Sequence, residues 1–94
     1  MTVEVRNDVA QNQYTILDGG SPVGFAVYQV SGNDIAFTHT EVDPGQQGKG
    51  FAGILVQAAL DDVKATTTYR VVPACSYVAN WVEKHPDYQE LTQR

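Results

Sequence analysis

Gly45-Gln46-Gln47-Gly48-Lys49-Gly50-Phe51-Ala52-Gly53 marks the point at which the pattern of this 94-residue chain changes. Upstream, apolar residues alternate with polar ones. Val3 and Val5 interleave with Thr2, Glu4 and Arg6, and residues 14–17, 23–30 and 35–42 read as three further strands. Asn7-Asp8, Asp18-Gly19-Gly20-Ser21-Pro22 and Ser31-Gly32-Asn33-Asp34 are turn clusters between them, so the first half predicts an antiparallel meander. Downstream the period lengthens. Ala52, Leu55, Val56, Ala59, Leu60 and Val63 recur at helical spacing, with Gln57, Asp61 and Lys64 on the opposite face. This predicts an amphipathic helix of about four turns. Thr66-Thr67-Thr68 continues a helix poorly, and residues 69–72 read as a brief strand stopped by Pro73. Ser76 is positioned to cap a second helix whose stripe is Tyr77, Val78, Trp81, Val82 and His85, ended by Pro86. The predicted order is ββββαβα, an α+β fold of two helices on a mostly antiparallel sheet, in one domain spanning residues 1–94.

Composition narrows the function classes. With 43% hydrophobic residues and no linker or low-complexity tract, the chain is large enough for one core and too short for two. No stretch approaches the roughly 20 apolar residues of a membrane span, and the first residues lack a signal-peptide pattern, so a soluble, cytoplasmic protein with no membrane partner is expected. One cysteine and two histidines offer neither an internal disulfide nor a metal-ligand cluster. The net charge of -5 is spread along the chain and disfavours nucleic acid as a partner. A polyanionic small molecule remains compatible if backbone amides, rather than cationic side chains, do the holding.

The glycine-rich stretch has three readings. A Walker loop requires Gly, four residues and then Gly-Lys-Ser/Thr; Gly48-Lys49 is followed by Gly50 and stands too close to Gly45. The dinucleotide fingerprint fits Gly48, Gly50 and Gly53, but no acid ends the next strand and an antiparallel meander precedes it. The pattern Q/R-x-x-G-x-G/A is met by Gln47, Gly50 and Ala52. Small residues there let a diphosphate approach successive N–H groups at a helix N-terminus, with Lys49 adding a charge. A tight strand-to-helix turn is the bland alternative.

The loop resembles the pyrophosphate loop of the GNAT acetyltransferase superfamily. With Thr38-His39-Thr40-Glu41-Val42, Val72-Pro73-Ala74-Cys75 and His85-Pro86-Asp87-Tyr88, residues 21–88 are similar to its short YjdJ-like subgroup of single-domain predicted N-acetyltransferases. The resemblance implies direct acetyl transfer from acetyl-CoA to a small-molecule or peptide amine in a ternary complex. It implies coenzyme contacts from Thr40, Val42, Gln47, Gly48, Lys49, Gly50, Phe51, Ala52 and Cys75, with the Val42 amide as candidate oxyanion donor. Larger members wall the acceptor site with two helices after the first strand, where this chain has only residues 8–13. An open acceptor pocket follows, and with it the alternative of a non-catalytic acyl-CoA-binding sensor or interaction module.

Four side chains are candidates for proton chemistry. His39 and Glu41, two apart on the strand before the loop, share a face, and without a bulge they share the parity of Ile35 and Phe37. Either is a candidate general base, and a surface ion pair is the alternative. Cys75, ahead of the second helix, is a candidate proton donor to the leaving thiolate or a transient acyl carrier, against inert packing. Tyr77 resembles the general acid of relatives, against a place in the core. His85 is read as a helix-end cap.

Overall fold

The computed structural model describes residues 2–94. Strands β1 (Val3–Asp8), β2 (Gln13–Asp18), β3 (Ser21–Ser31) and β4 (Asp34–Val42) form the antiparallel meander. Helix α1 (Phe51–Thr66) crosses to β5 (Arg70–Pro73), which pairs parallel to β4, and α2 (Ser76–Glu83) follows. The sheet order is β1-β2-β3-β4-β5, the ββββαβα order and α+β class read from the sequence.

One face of the sheet carries both helices. Tyr14, Ile16, Ala26, Tyr28, Ile35 and Phe37 point to it and are buried against Leu55, Val56, Ala59, Leu60 and Val63 of α1. Removing such apolar surface from water is the main favourable term in folding. The threonine stop acts by side-chain competition: Thr66 Oγ1 donates to Asp62 O at 2.7 Å and Thr67 Oγ1 to Val63 O at 2.7 Å, taking carbonyls at the helix end. Val78, Trp81 and Val82 of α2 join the same core, as the apolar stripe implied. Phe25 and Val27 lie on the opposite face, half-buried and outside that core.

Three features differ from the sequence-based expectation. The pairing of β3 with β4 shifts register between Val27, opposite His39, and Tyr28, opposite Phe37, which leaves Thr38 as an extra residue. Such a bulge reverses the side-chain alternation. Thr40 and Val42 therefore follow Ile35 and Phe37 onto the helix side, whereas His39 and Glu41 turn to the open face, contrary to the parity expected for them. Second, the N-cap of α2 is Cys75 in an extended conformation, and Ser76 is the first helical residue rather than the cap. Third, after α2 has ended ahead of Pro86, the chain forms a 3-10 segment, Pro86–Gln93, that the sequence pattern did not announce, and it inserts fully buried Leu91 against the core.

Candidate active site

The site begins where β4 loses a neighbour. Only Asp34, Ile35, Ala36 and Phe37 of β4 pair with β5, opposite Arg70 to Pro73. Pro73 cannot donate a ladder hydrogen bond, and the chain then leaves the sheet for α2. Residues 38–42 keep β3 on one side and have no strand on the other. Asp43 N donates to Val23 O at 2.8 Å, which directs the main-chain groups of Asp43, Glu41 and His39 toward β3. By alternation, those of Thr40 and Val42 face the open side. Gln47 Nε2 donates to Val42 O at 3.3 Å, tying the loop back to the strand end.

Directly beyond stands the N-terminus of α1. Gly50 is its N-cap, at φ 80° and ψ 10°, and no side chain caps the first turn. The first intrahelical bond of the turn is Ile54 N to Gly50 O, 3.2 Å, so the amides of Gly50, Phe51, Ala52 and Gly53 have no helical partner. All four residues, with Gln46, Gln47, Gly48, Thr40, Val42 and Tyr77, line one cavity of about 380 Å³. Gly48 and Gly50 both have positive φ, and a Cβ built on either meets nothing within 4 Å. These glycines are there for backbone conformation and open space, not for packing. A diphosphate fits this cradle: it supplies the acceptors that the free amides and the positive end of the helix lack. Gln46 and Gly53 are lining residues that the loop motif alone did not single out.

The remaining candidates divide between the two faces. Cys75 is part-buried on the helix side, its Sγ 3.8 Å from Thr40 Oγ1. Burial pushes its thiol up, but the amide of Val78, the Thr40 hydroxyl, the amide of Tyr77 and the Thr40 backbone together outweigh burial and bring it below its ordinary value. The two α2 amides act as nearby dipoles, since no capping hydrogen bond of good geometry forms. Tyr77 is 39% exposed and lies on the cavity wall rather than in the core. Phe51 lines the cavity at the helix start and is itself buried. Lys49 stands outside the cavity lining, with Nζ donating to Gln46 Oε1 at 2.9 Å. His39 Nε2 and Glu41 Oε1 are 3.8 Å apart on the open face, both side chains more than half exposed, and the His39 ring packs by Phe25. His85 is structural: its ring stacks on Trp81 at 3.8 Å and its Nδ1 bonds Trp81 O at 2.6 Å.

Residues 13–91 match the GCN5-related N-acetyl-transferase family. The chain belongs to that family. Protein NATD1 of Gallus gallus is 32% identical over 96 residues, covering 95% of this chain and 82% of its own length. Protein NATD1 of Homo sapiens is also 32% identical, with 95% and 80% covered. Among solved structures, the ribosomal-protein-S18-alanine N-acetyltransferase from Escherichia coli superposes with a TM-score of 0.61 at 20% identity. The match takes in 77% of this chain and 48% of the enzyme. The ribosomal-protein-alanine N-acetyltransferase from Brucella melitensis gives 0.55 at 16% identity, over 78% and 59%. At such identities the likeness concerns the fold, and this chain spans about half to three-fifths of those enzymes. Membership makes it an acetyltransferase. No helix among the described residues is long and apolar enough to cross a membrane.

Proposed function

We propose that this single domain transfers an acetyl group from acetyl-CoA directly to a small or exposed amine, with both substrates bound together. The observation that carries the reading is one cavity with the free edge of β4 on one wall and four unpartnered amides of α1 on another. A diphosphate at the amides leaves an extended arm lying along the vacant side of β4, where the main-chain groups of Thr40 and Val42 are its hydrogen-bond partners. The thioester carbonyl then meets the Val42 amide, a fixed donor for the oxygen on which charge develops.

The bulge at Thr38 separates the two proton transfers. The amine approaches from the open face, beside His39 and Glu41, and one of them takes its proton directly or through water. As nitrogen bonds to the carbonyl carbon, the carbon–sulfur bond breaks and the thiolate departs on the helix side. Cys75 and Tyr77 are the donors there. A thiol held below its ordinary pKa is competent to protonate an ordinary alkyl thiolate, and acid and base on opposite faces do not neutralise each other.

A second reading, an acyl-CoA-binding sensor without turnover, is favoured by the connection from β1 to β2. Only a 3-10 turn, Val9–Gln11, stands there, so among the described residues no helix walls the open face at that connection. Two measurements separate the readings. Acetyl-CoA and CoA should raise the melting temperature where NAD and ATP do not; a ligand at 100 times its Kd adds about 2.7 kcal/mol. Acetyl transfer to a member of a broad amine panel above the uncatalysed rate supports the enzyme, whereas tight binding with no transfer leaves the sensor.

A further inference from the structure

A second cavity, of about 340 Å³, lies under the opposite end of α1. Its floor is the helix-side face of the sheet, with Tyr14, Tyr28 and Ile35, and α1 contributes Asp62 and Val63. At about 1.5 Å per residue, Asp62 is roughly 16 Å along the helix from Phe51, so this space is separate from the loop cavity.

One carboxylate, Asp62, is among its lining residues. Tyr14 Oη donates to Asp62 Oδ2 at 2.7 Å, and Tyr28 Oη donates to Asn7 Oδ1 at 2.8 Å. Among the described residues no cationic side chain lines the cavity or pairs with Asp62. The guanidinium standing close by, that of Arg94, is held by the carbonyls of Lys64, Thr67 and Tyr69. Asp62 is half-buried, its carboxylate accepts one hydrogen bond, from Tyr14, and it has no cationic partner among the described residues, so its charge attracts a cation into the cavity. The mouth is apolar: Val9 is 69% exposed and Val30 43%. A volume in the ordinary range of ligand pockets holds more than an ammonium head and accommodates an apolar body.

We propose that this cavity is a binding site for a small organic cation, an ammonium group on an apolar or aromatic body, with Asp62 as its counter-ion and Tyr14, Tyr28 and Tyr69 around it. The site is too far from the free edge of β4 for that amine to be acetylated while bound. It acts as a separate ligand site and stands whether or not the acetyl-transfer mechanism above is correct.

Amide NMR titration of the whole chain tests this with phenethylammonium, its neutral isostere 2-phenylethanol and the anion 3-phenylpropionate. The cation should give saturable shifts at Asn7, Tyr28, Asp62 and Thr67, bind at least tenfold more tightly than the alcohol, and keep its affinity in saturating CoA. Asp62→Asn should reduce the cation to the affinity of the alcohol. Equal binding of cation and alcohol, saturation only at the glycine-rich loop, or no saturable shift at millimolar concentration would overturn the assignment. Because the isostere comparison uses the unaltered protein, it decides the matter even if Asp62→Asn fails to fold.

Discussion

Two glycines with nearly the same backbone and different surroundings allow the loop to be tested against its bland alternative. Gly50 has φ 80° and Gly20 has φ 87°, and a Cβ on either meets nothing within 4 Å. Alanine at each position therefore carries only the strain of the left-handed region, about 1–2 kcal/mol. In a domain of this size that lowers the melting temperature by about 4–8 °C for each kcal/mol, and both variants should fall alike. Their ligand behaviour should differ. Gly20 lies in the turn between β2 and β3, whereas Gly50 lines the cavity at the start of α1. The methyl of Gly50→Ala enters the space that a diphosphate needs beside the free amides, so CoA affinity should drop at least tenfold, about 1.4 kcal/mol. Gly20→Ala should bind CoA like the parent protein. Isothermal titration of both folded variants, with thermal melts alongside, gives both numbers. If Gly50→Ala binds CoA unchanged while losing the same stability as Gly20→Ala, the glycine serves the turn alone and the phosphates are held elsewhere.

Three further outcomes follow from the two-faced site and a fourth from the second cavity. Alkylation of Cys75 by iodoacetamide should have a pH midpoint below that of a free cysteine and be suppressed by CoA; Cys75→Ala should lower turnover with little loss of affinity, and a midpoint at or above the free value would remove Cys75 from the chemistry. Mass spectrometry after incubation with acetyl-CoA alone decides its other role, since an acyl carrier would retain an acetyl group without any amine. His39→Ala and Glu41→Gln should leave CoA binding intact, and the one that is the general base should reduce the rate by about 10²- to 10⁴-fold and abolish the rise of activity with pH; wild-type rates in both would clear the open face of a catalytic role. Tyr14 gives a stability test: burial, then its bond to Asp62, raise its phenol above the ordinary value of 10.0, so the folded state holds the proton more tightly than the unfolded chain. That contribution is complete below pH 10 and declines above it as the unfolded chain ionises, so Tyr14→Phe, though less stable at neutral pH, should lose less stability between about pH 10 and 11.5. Parallel pH profiles for the two proteins would refute the assignment.

The elements that the sequence displayed are those in which local pattern and tertiary burial agree. Alternating Val, Ile and Phe before the loop and the helical spacing from Ala52 to Val63 each specify a buried face without reference to anything distant. Where the outcome depended on a partner, the pattern was silent. Leu91 stands in a polar tail with no periodicity, and only the path of the Pro86–Gln93 segment beside β5 explains its complete burial. Cys75 precedes a better capping residue, yet Cys75 itself holds the cap position, in extended conformation, after the chain turns at Pro73 with Ala74 N donating to Val72 O at 2.9 Å. The second cavity was equally invisible, since Asn7, Tyr14, Tyr28 and Asp62 come from four elements with no shared motif.

The candidate site combines both cases. Gln47, Gly50 and Ala52 stood out in the sequence as a motif at fixed spacing over a helix start, and all three line the one cavity. The direction of His39 and Glu41 was not, because side-chain parity is counted from one end of a strand and one extra residue inverts everything beyond it. Thr38 carries no mark of that extra residue; it is neither glycine nor proline, and the mismatch exists only against β3. Its consequence reaches the chemistry. With a regular β4, His39 and Glu41 would face α1 and α2 beside Cys75, and Thr40 and Val42 would face away from the loop. The bulge instead gives the cavity two small side chains, Thr40 and Val42, and sends both titratable ones to the open face. The proposed mechanism, with one substrate along the free edge of β4 and the other met from behind, requires that inversion, so on that proposal the register shift is a functional element of the strand rather than a flaw in its pairing.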